Sequence, residues 1–221
     1  MSMRSRPLRT CPRATRWILS LFVVASTLPL LAADLPPAKA ATDYPAVDNH
    51  AKEQVAIAAV PFDTDRDCKV FQVDFLKYHF MPIRIIVTNN GDRPISLRDA
   101  RIFFISANGD RIPAAEPEDV ERRVSARDRQ GADIPLGPIK VHTKGKDSDS
   151  KIEAEFDRWE YSALVVEPHT THDGFLFYDV DGLGDTPLRN AKLVLRELRN
   201  ADGQQLFFFE IPFNNFLNAQ H

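Results

Sequence analysis

From Val55 to the C-terminus, apolar positions come in short runs separated by turn residues, at Val55–Val60, Val70–Leu76, Phe80–Thr88, Ile102–Ser106, Ala163–Val166, Phe175–Tyr178, Lys192–Leu198 and Leu206–Ile211. Each run has the length of a strand, and several alternate with period two, as a strand with one buried face must. Phe71, Val73 and Phe75 fall on one face, with Gln72 and Asp74 opposite. In Lys192–Leu198 the alternation is mixed, which predicts a strand covered on both sides for part of its length. Asn200-Ala201-Asp202-Gly203 separates the last two runs and predicts a hairpin, and Asn89-Asn90-Gly91-Asp92 predicts a reversal before Pro94. Eight strands at this cadence predict a mainly β fold, an antiparallel β-sandwich.

Residues 113–161 interrupt the pattern as a long insertion carrying one or two short helices. Glu116–Arg123 places acids before arginines, the order that complements a helix dipole. Ile152, Phe156 and Trp159 stand at helical spacing within Lys151–Trp159, and Arg127–Ser150 between them reads as a long mobile loop. Insertions of this size often carry function; the alternative is an elaboration that caps one sheet end.

The N-terminal third of the chain's first hundred residues changes the picture. Arg4, Arg6, Arg9, Arg13 and Arg16 precede an apolar run from Trp17 to Ala33 that contains no acid, the layout of an export signal over residues 1–33. Cleavage is expected after Ala33 or after Ala40; the competing reading keeps the run as an uncleaved anchor. Residues 34–52, rich in Ala, Pro and Asp, read as a flexible tether, and residues 53–221 as the folded body. No other stretch approaches membrane length, so no span is expected in the mature chain, which is placed in the periplasm or outside the cell.

Processing after Ala33 would remove five positive charges and no negative ones, moving the formal net charge from −3 to −8. No basic segment with interleaved aromatics is visible along the chain, so nucleic acid is not an expected partner. Of the two cysteines, Cys11 lies in the signal, which leaves Cys68 without an internal disulfide partner. It reads as a small buried apolar residue rather than a reactive thiol.

Candidate chemistry is sparse. His169, His172 and Asp173 form the best set for a divalent metal, although Pro168 and Gly174 bracket them as a turn rather than a helix. Asp63-Thr64-Asp65-Arg66-Asp67 lacks the glycine and the bidentate glutamate of a helix-loop-helix calcium site, and it reads, like Asp179–Asp185, as a solvated acidic turn. There is no nucleophile elbow and no phosphate-binding glycine loop. In Phe207-Phe208-Phe209, Phe207 and Phe209 are expected to share a core face with Phe208 packed on the other; the alternative is an exposed edge for a partner.

The run Pro82–Leu97, followed by Phe103–Gly109 and later by Val166-Glu167-Pro168 and Gly174–Tyr178, resembles the exported bacterial immunoglobulin-like sandwich family that includes mycobacterial immunoprotective antigens. The resemblance covers Val55 to Pro212 apart from the insertion. It implies an immunoglobulin-like β-sandwich outside the cytoplasm that binds or assists something else, with no catalytic residues to carry over; no cofactor is expected. The function expected from the sequence is therefore exported, non-enzymatic protein contact; the alternative is divalent-metal binding through His169, His172 and Asp173 or through the acidic turns.

Overall fold

A computed structural model describes residues 35–131 and 145–220. The signal, its Ala33 cleavage point and the middle of the expected loop at residues 132–144 lie outside the described residues. The fold is mainly β, with antiparallel sheets and three α-helices among the described residues. No described helix is long and apolar enough to cross a membrane.

The first sheet has the order β1-β2-β3-β8, built from β1 (Val47–His50), β2 (Val55–Pro61), β3 (Phe80–Asn89) and β8 (Thr170–Asp179). Every residue of β3 is buried, because both faces of this central strand are covered. Its sequence is accordingly a near-continuous apolar run rather than an alternation. The second sheet, β11-β9-β5-β6, comprises β5 (Arg101–Ile105), β6 (Arg111–Pro113), β9 (Lys192–Arg196) and β11 (Phe209–Pro212). A short ribbon joins β4 (Ile95–Ser96), β7 (Val165–Val166) and β10 (Arg199–Asn200) in the order β10-β4-β7.

One apolar cluster is shared by the inward faces of both larger sheets. Ile57, Ile83, Ile85 and Tyr178 of the first meet Phe104, Leu193, Leu195 and Ile211 of the second. Each such side chain withdrawn from water contributes about 1.5–3 kcal/mol. The asparagine reversal is also present: buried Asn89 donates to the Arg93 and Val166 carbonyls (2.8 and 3.1 Å) and accepts from the Gly91 amide (2.9 Å). Satisfying every polar atom of this side chain fixes the exit from β3 into β4.

The other face of the first sheet carries a second, aromatic cluster. Phe175 and Phe177 of β8 pack with Phe62, Phe71 and Phe75, under a roof of two helices, α1 (Pro117–Gly131) and α2 (Gly145–Trp159). Val120 and Val124 of α1 and Ile152 and Phe156 of α2 are buried in this cluster. The insertion thus covers a sheet face rather than capping a sheet end, and both helices extend into the segment expected to be a loop. The third helix, α3 (Asn214–Ala219), buries Phe216 beside Phe213 in the main core.

Two expectations are corrected. Val70–Leu76 is not a strand: 3₁₀ turns at Asp67–Val70 and Leu76–Tyr78 flank it. Thr64 Oγ1 accepts the Asp67 amide and Asp74 Oδ1 accepts the Lys77 amide, both at 3.2 Å, so these short polar side chains divert the backbone into turns. Phe71 and Phe75 still point inward together, four residues apart in a turn-rich segment. Phe71 contacts the rings of Phe75, Trp159 and Phe175 at centroid separations of 5.3, 5.9 and 5.0 Å.

Within the expected tether, residues 41–50 belong to the folded body. β1 pairs with β2 from Val47↔Ala58 to His50↔Val55, and Ala41 and Ala46 are fully buried. The small side chains of Ala41, Ala56 and Ala58 let this segment lie close against the sheet beside Ile86, and the Ala41 amide donates to Thr88 Oγ1 (2.8 Å). Alanine content that resembles a linker is here the requirement of close packing.

Candidate functional site

The residues singled out for a metal do not converge. His172 and Asp173 are consecutive in β8 and project from opposite faces. Asp173 is held by Arg84, whose Nε and Nη2 donate to one carboxylate oxygen at 2.7 and 2.6 Å, while Nη2 also donates to the Pro36 carbonyl at 3.0 Å. His169 sits in a left-handed turn (φ 57°) with Nε2 2.9 Å from Asp92 Oδ1. Among the described residues no three His, Cys, Asp or Glu side chains are grouped to hold a metal ion.

The acidic turns are engaged elsewhere. Arg123 of α1 donates to the carboxylates of Asp179 and Asp181 and lies over the Phe80 ring, which clamps the helix to the end of β8. Asp63 and Asp185 line one cleft, but its third charged group is Arg189, a cation and not another ligand. Cys68 is buried, donates to the Phe62 carbonyl at 3.3 Å, and has its thiol pushed up to about 12 by burial and by Asp67, Asp74, Asp65 and Asp63. The thiolate needed for nucleophilic chemistry is therefore scarce at neutral pH.

A surface the sequence reading missed is the outer face of the second sheet. Alternation turns Ile102 and Phe104 inward and leaves Arg101, Phe103 and Ile105 outward. Across the ladder, Arg101 is paired with Arg196, Phe103 with Val194 and Ile105 with both Lys192 and Arg111. Four cations from three strands are thereby gathered on one face of an acidic chain. Two are neutralised locally, Lys192 by Glu210 (2.8 Å) and Arg101 by Glu197 (3.3 Å). Arg111 and Arg196 make no ion pair with any described residue, and each lies over an aromatic ring. The Arg111 guanidinium is 4.4 Å from the Phe103 ring centre and that of Arg196 is 5.5 Å from Phe208.

Phe208 extends this face by stacking on Phe207, with centroids 4.7 Å apart and planes at 25°. Phe207 is 66 % exposed and Phe208 36 %, whereas Phe209 is fully buried. The expectation that Phe207 shares a core face with Phe209 is thus corrected. Pairing with β9 begins only at Phe209; Leu206–Phe208 is the crossing from the ribbon to the second sheet, anchored at its start by the Leu206 amide donating to the Leu198 carbonyl at 2.8 Å. The free edge of β11 is closed instead by carboxylates. Glu53 Oε1 accepts the Phe207 amide and Asp48 Oδ2 accepts the Glu210 amide, both at 2.8 Å. His50 lies between those two acids and stacks on Phe209 at 4.0 Å.

The signal for this face was present in the sequence as the outward residues of two recognised strands, Arg101-x-Phe103-x-Ile105 and Lys192-x-Val194-x-Arg196. Which strands are neighbours is non-local, so the gathering of the cations was not legible from spacing along the chain. In comparisons with known proteins, no family model, curated protein or solved structure matches the chain.

Proposed function

We propose that this protein is an exported, non-enzymatic immunoglobulin-like β-sandwich that works by contact with another protein through the Phe207–Phe208 side of its second sheet. The observation that carries the reading is the exposure of two stacked phenylalanines beside a guanidinium that has no acidic partner among the described residues. Aromatic side chains and arginine are the residues that interface centres favour. Two antiparallel sheets sharing one core support the sandwich assignment, and the basic, then apolar N-terminal segment supports export. Cleavage after Ala33 is the better of the two sites on this reading, because it keeps the Pro36 carbonyl on which Arg84 relies. A divalent-metal role finds no converging ligand set among the described residues to rest on.

The experiment is affinity capture from the producing cells with the wild-type protein and with the double variant F207S/F208S. A discrete partner recovered by the wild type and lost by a variant of unchanged melting temperature is the expected result. Recovery of the same partner by both proteins would remove this face from the function.

A further inference from the structure

We infer that the outer face of the second sheet binds an acidic, extended polypeptide segment, with Arg111 and Arg196 each receiving one carboxylate. This rests on the interaction reading above and names its partner's chemistry.

The edges of the sheet offer little length for an added strand, since β6 is three residues ending in Pro113 and β11 is four ending in Pro212. At β11 the Glu210 amide is already held by Asp48, and just before the strand the Phe207 amide is held by Glu53. At β6 the chain passes directly to the first sheet, where Ala114 bridges to Tyr178 and the Ala115 amide donates to the Phe177 carbonyl at 2.7 Å. What remains open is the face itself, a shallow hollow of about 280 Å³ between Phe103, Arg111, Val194 and Arg196. Phe103, Ile105 and the nearly buried Val194 form its floor, the Lys192–Glu210 ion pair lies within its lining, and Arg111 and Arg196 stand at its two ends.

The spacing of those ends selects a ligand. Arg196 is in register with Arg101, and Arg111 with Ile105, four residues further along β5 and two strands across from β9. Strand geometry separates the two Cα positions by ~13 Å along β5 and ~10 Å across it, hence by ~16 Å, or about five residues of extended chain. A segment with two acids roughly five positions apart and apolar residues between them would place each carboxylate at a guanidinium and its apolar side chains over Phe103 and Val194. Guanidinium forks suit carboxylates, and the underlying rings keep each fork in place without neutralising it. A nucleic-acid strand is disfavoured by count: it carries a charge on every nucleotide, and two cations without ion pairs among the described residues, on an acidic chain, release few counterions.

The test is a titration, followed by fluorescence anisotropy, of the full protein with a labelled synthetic peptide that has two glutamates five positions apart among valines and threonines. An isomeric peptide with adjacent glutamates and an oligothymidylate serve as comparisons. The wild type is expected to bind the spaced peptide at least tenfold more tightly than either. R111E and R196E should each weaken it at least tenfold with melting temperature unchanged, while K151E, on the exposed side of α2, should change it less than twofold. No saturable binding, equal loss in K151E, or a preference for the adjacent-glutamate peptide or the oligothymidylate would overturn the inference. If the captured partner depends on Phe207 and Phe208 but is retained by R111E and R196E, the assignment of an acidic ligand fails while the interaction reading stands. Loss of both dependences fails both.

Discussion

Glu155 is the clearest case of a residue whose surroundings work against its chemistry. It is 2 % exposed on α2, one of its carboxylate oxygens has no hydrogen-bond partner, and burial raises its pKa above the ordinary glutamate range, opposed by a Gln72 backbone contact and by Arg158. A raised folded-state value means the folded protein holds this proton more tightly than the unfolded chain. The stabilisation is therefore complete below the unfolded glutamate pKa and is lost as pH rises through the folded one. E155Q should melt higher than wild type near pH 7.5 and converge with it near pH 4; a difference that widens toward acid in calorimetric scans would contradict this. Gly174 is constrained by space instead, since a Cβ there would stand 2.5 Å from the Tyr161 Cα, where the chain leaving α2 runs beside β8. G174A should cost about 1–3 kcal/mol in denaturant unfolding, and an unchanged midpoint would show that the close approach can relax. Residue identity alone did not reveal either constraint. Nothing in Ser-Lys-Ile-Glu-Ala-Glu-Phe tells which glutamate faces the aromatic cluster, and Phe207, Phe208 and Phe209 are chemically identical until strand pairing sets which is covered.

At the scale of elements, legibility followed how local the deciding forces are. β2, β3, β5 and β9 were visible because burial of one or both faces leaves a period-two or continuous apolar trace in the sequence. The Val70–Leu76 run imitated that trace, yet Thr64 before it and Asp74 within it accept backbone amides and turn the chain. β1 was invisible because Val47-Asp48-Asn49-His50 has no buried residue and contributes a half-buried valine and the Asp48 carboxylate rather than bulk. The Asp48 and Glu53 carboxylates have a function of their own, since an uncovered strand edge invites pairing between molecules. D48A/E53A should free the Phe207 and Glu210 amides and give larger species by light scattering at concentrations where the wild type remains a single size; no change would mean that the Leu206–Phe208 crossing alone protects the edge. Arg84 and Asp173 join β3 to β8 on the helix-covered face, with the Arg84 side chain 9 % and that of Asp173 31 % exposed. Removing the carboxylate in D173A strands a nearly buried guanidinium, and the loss should be about 1.5–3 kcal/mol of unfolding free energy. A value near zero would place Asp173 among ordinary surface acids.

For the molecule as a whole, three layers result: a second sheet open to solvent, a first sheet buried on both faces, and a helical roof over residues that the sequence presents as an interruption. The roof covers a cluster of seven buried phenylalanines, and so the described buried positions of both helices, Val120, Val124, Ile152 and Phe156, are structural. On the open layer Phe207 and Phe208 are exposed, and Arg111 and Arg196, each over a ring, make no ion pair among the described residues. Long-range strand order created this division, which is why charge counted along the chain gave an acidic protein while the folded chain presents a locally basic, aromatic face. The most direct measurement of that claim places a photo-crosslinking phenylalanine analogue at position 208, or at the exposed Glu153 of α2 as a comparison, in the full protein made by its own cells. A discrete adduct from position 208 and none from position 153 is predicted; the same adducts from both positions, or an adduct from position 153 alone, would contradict the assignment of the open sheet face as the working surface.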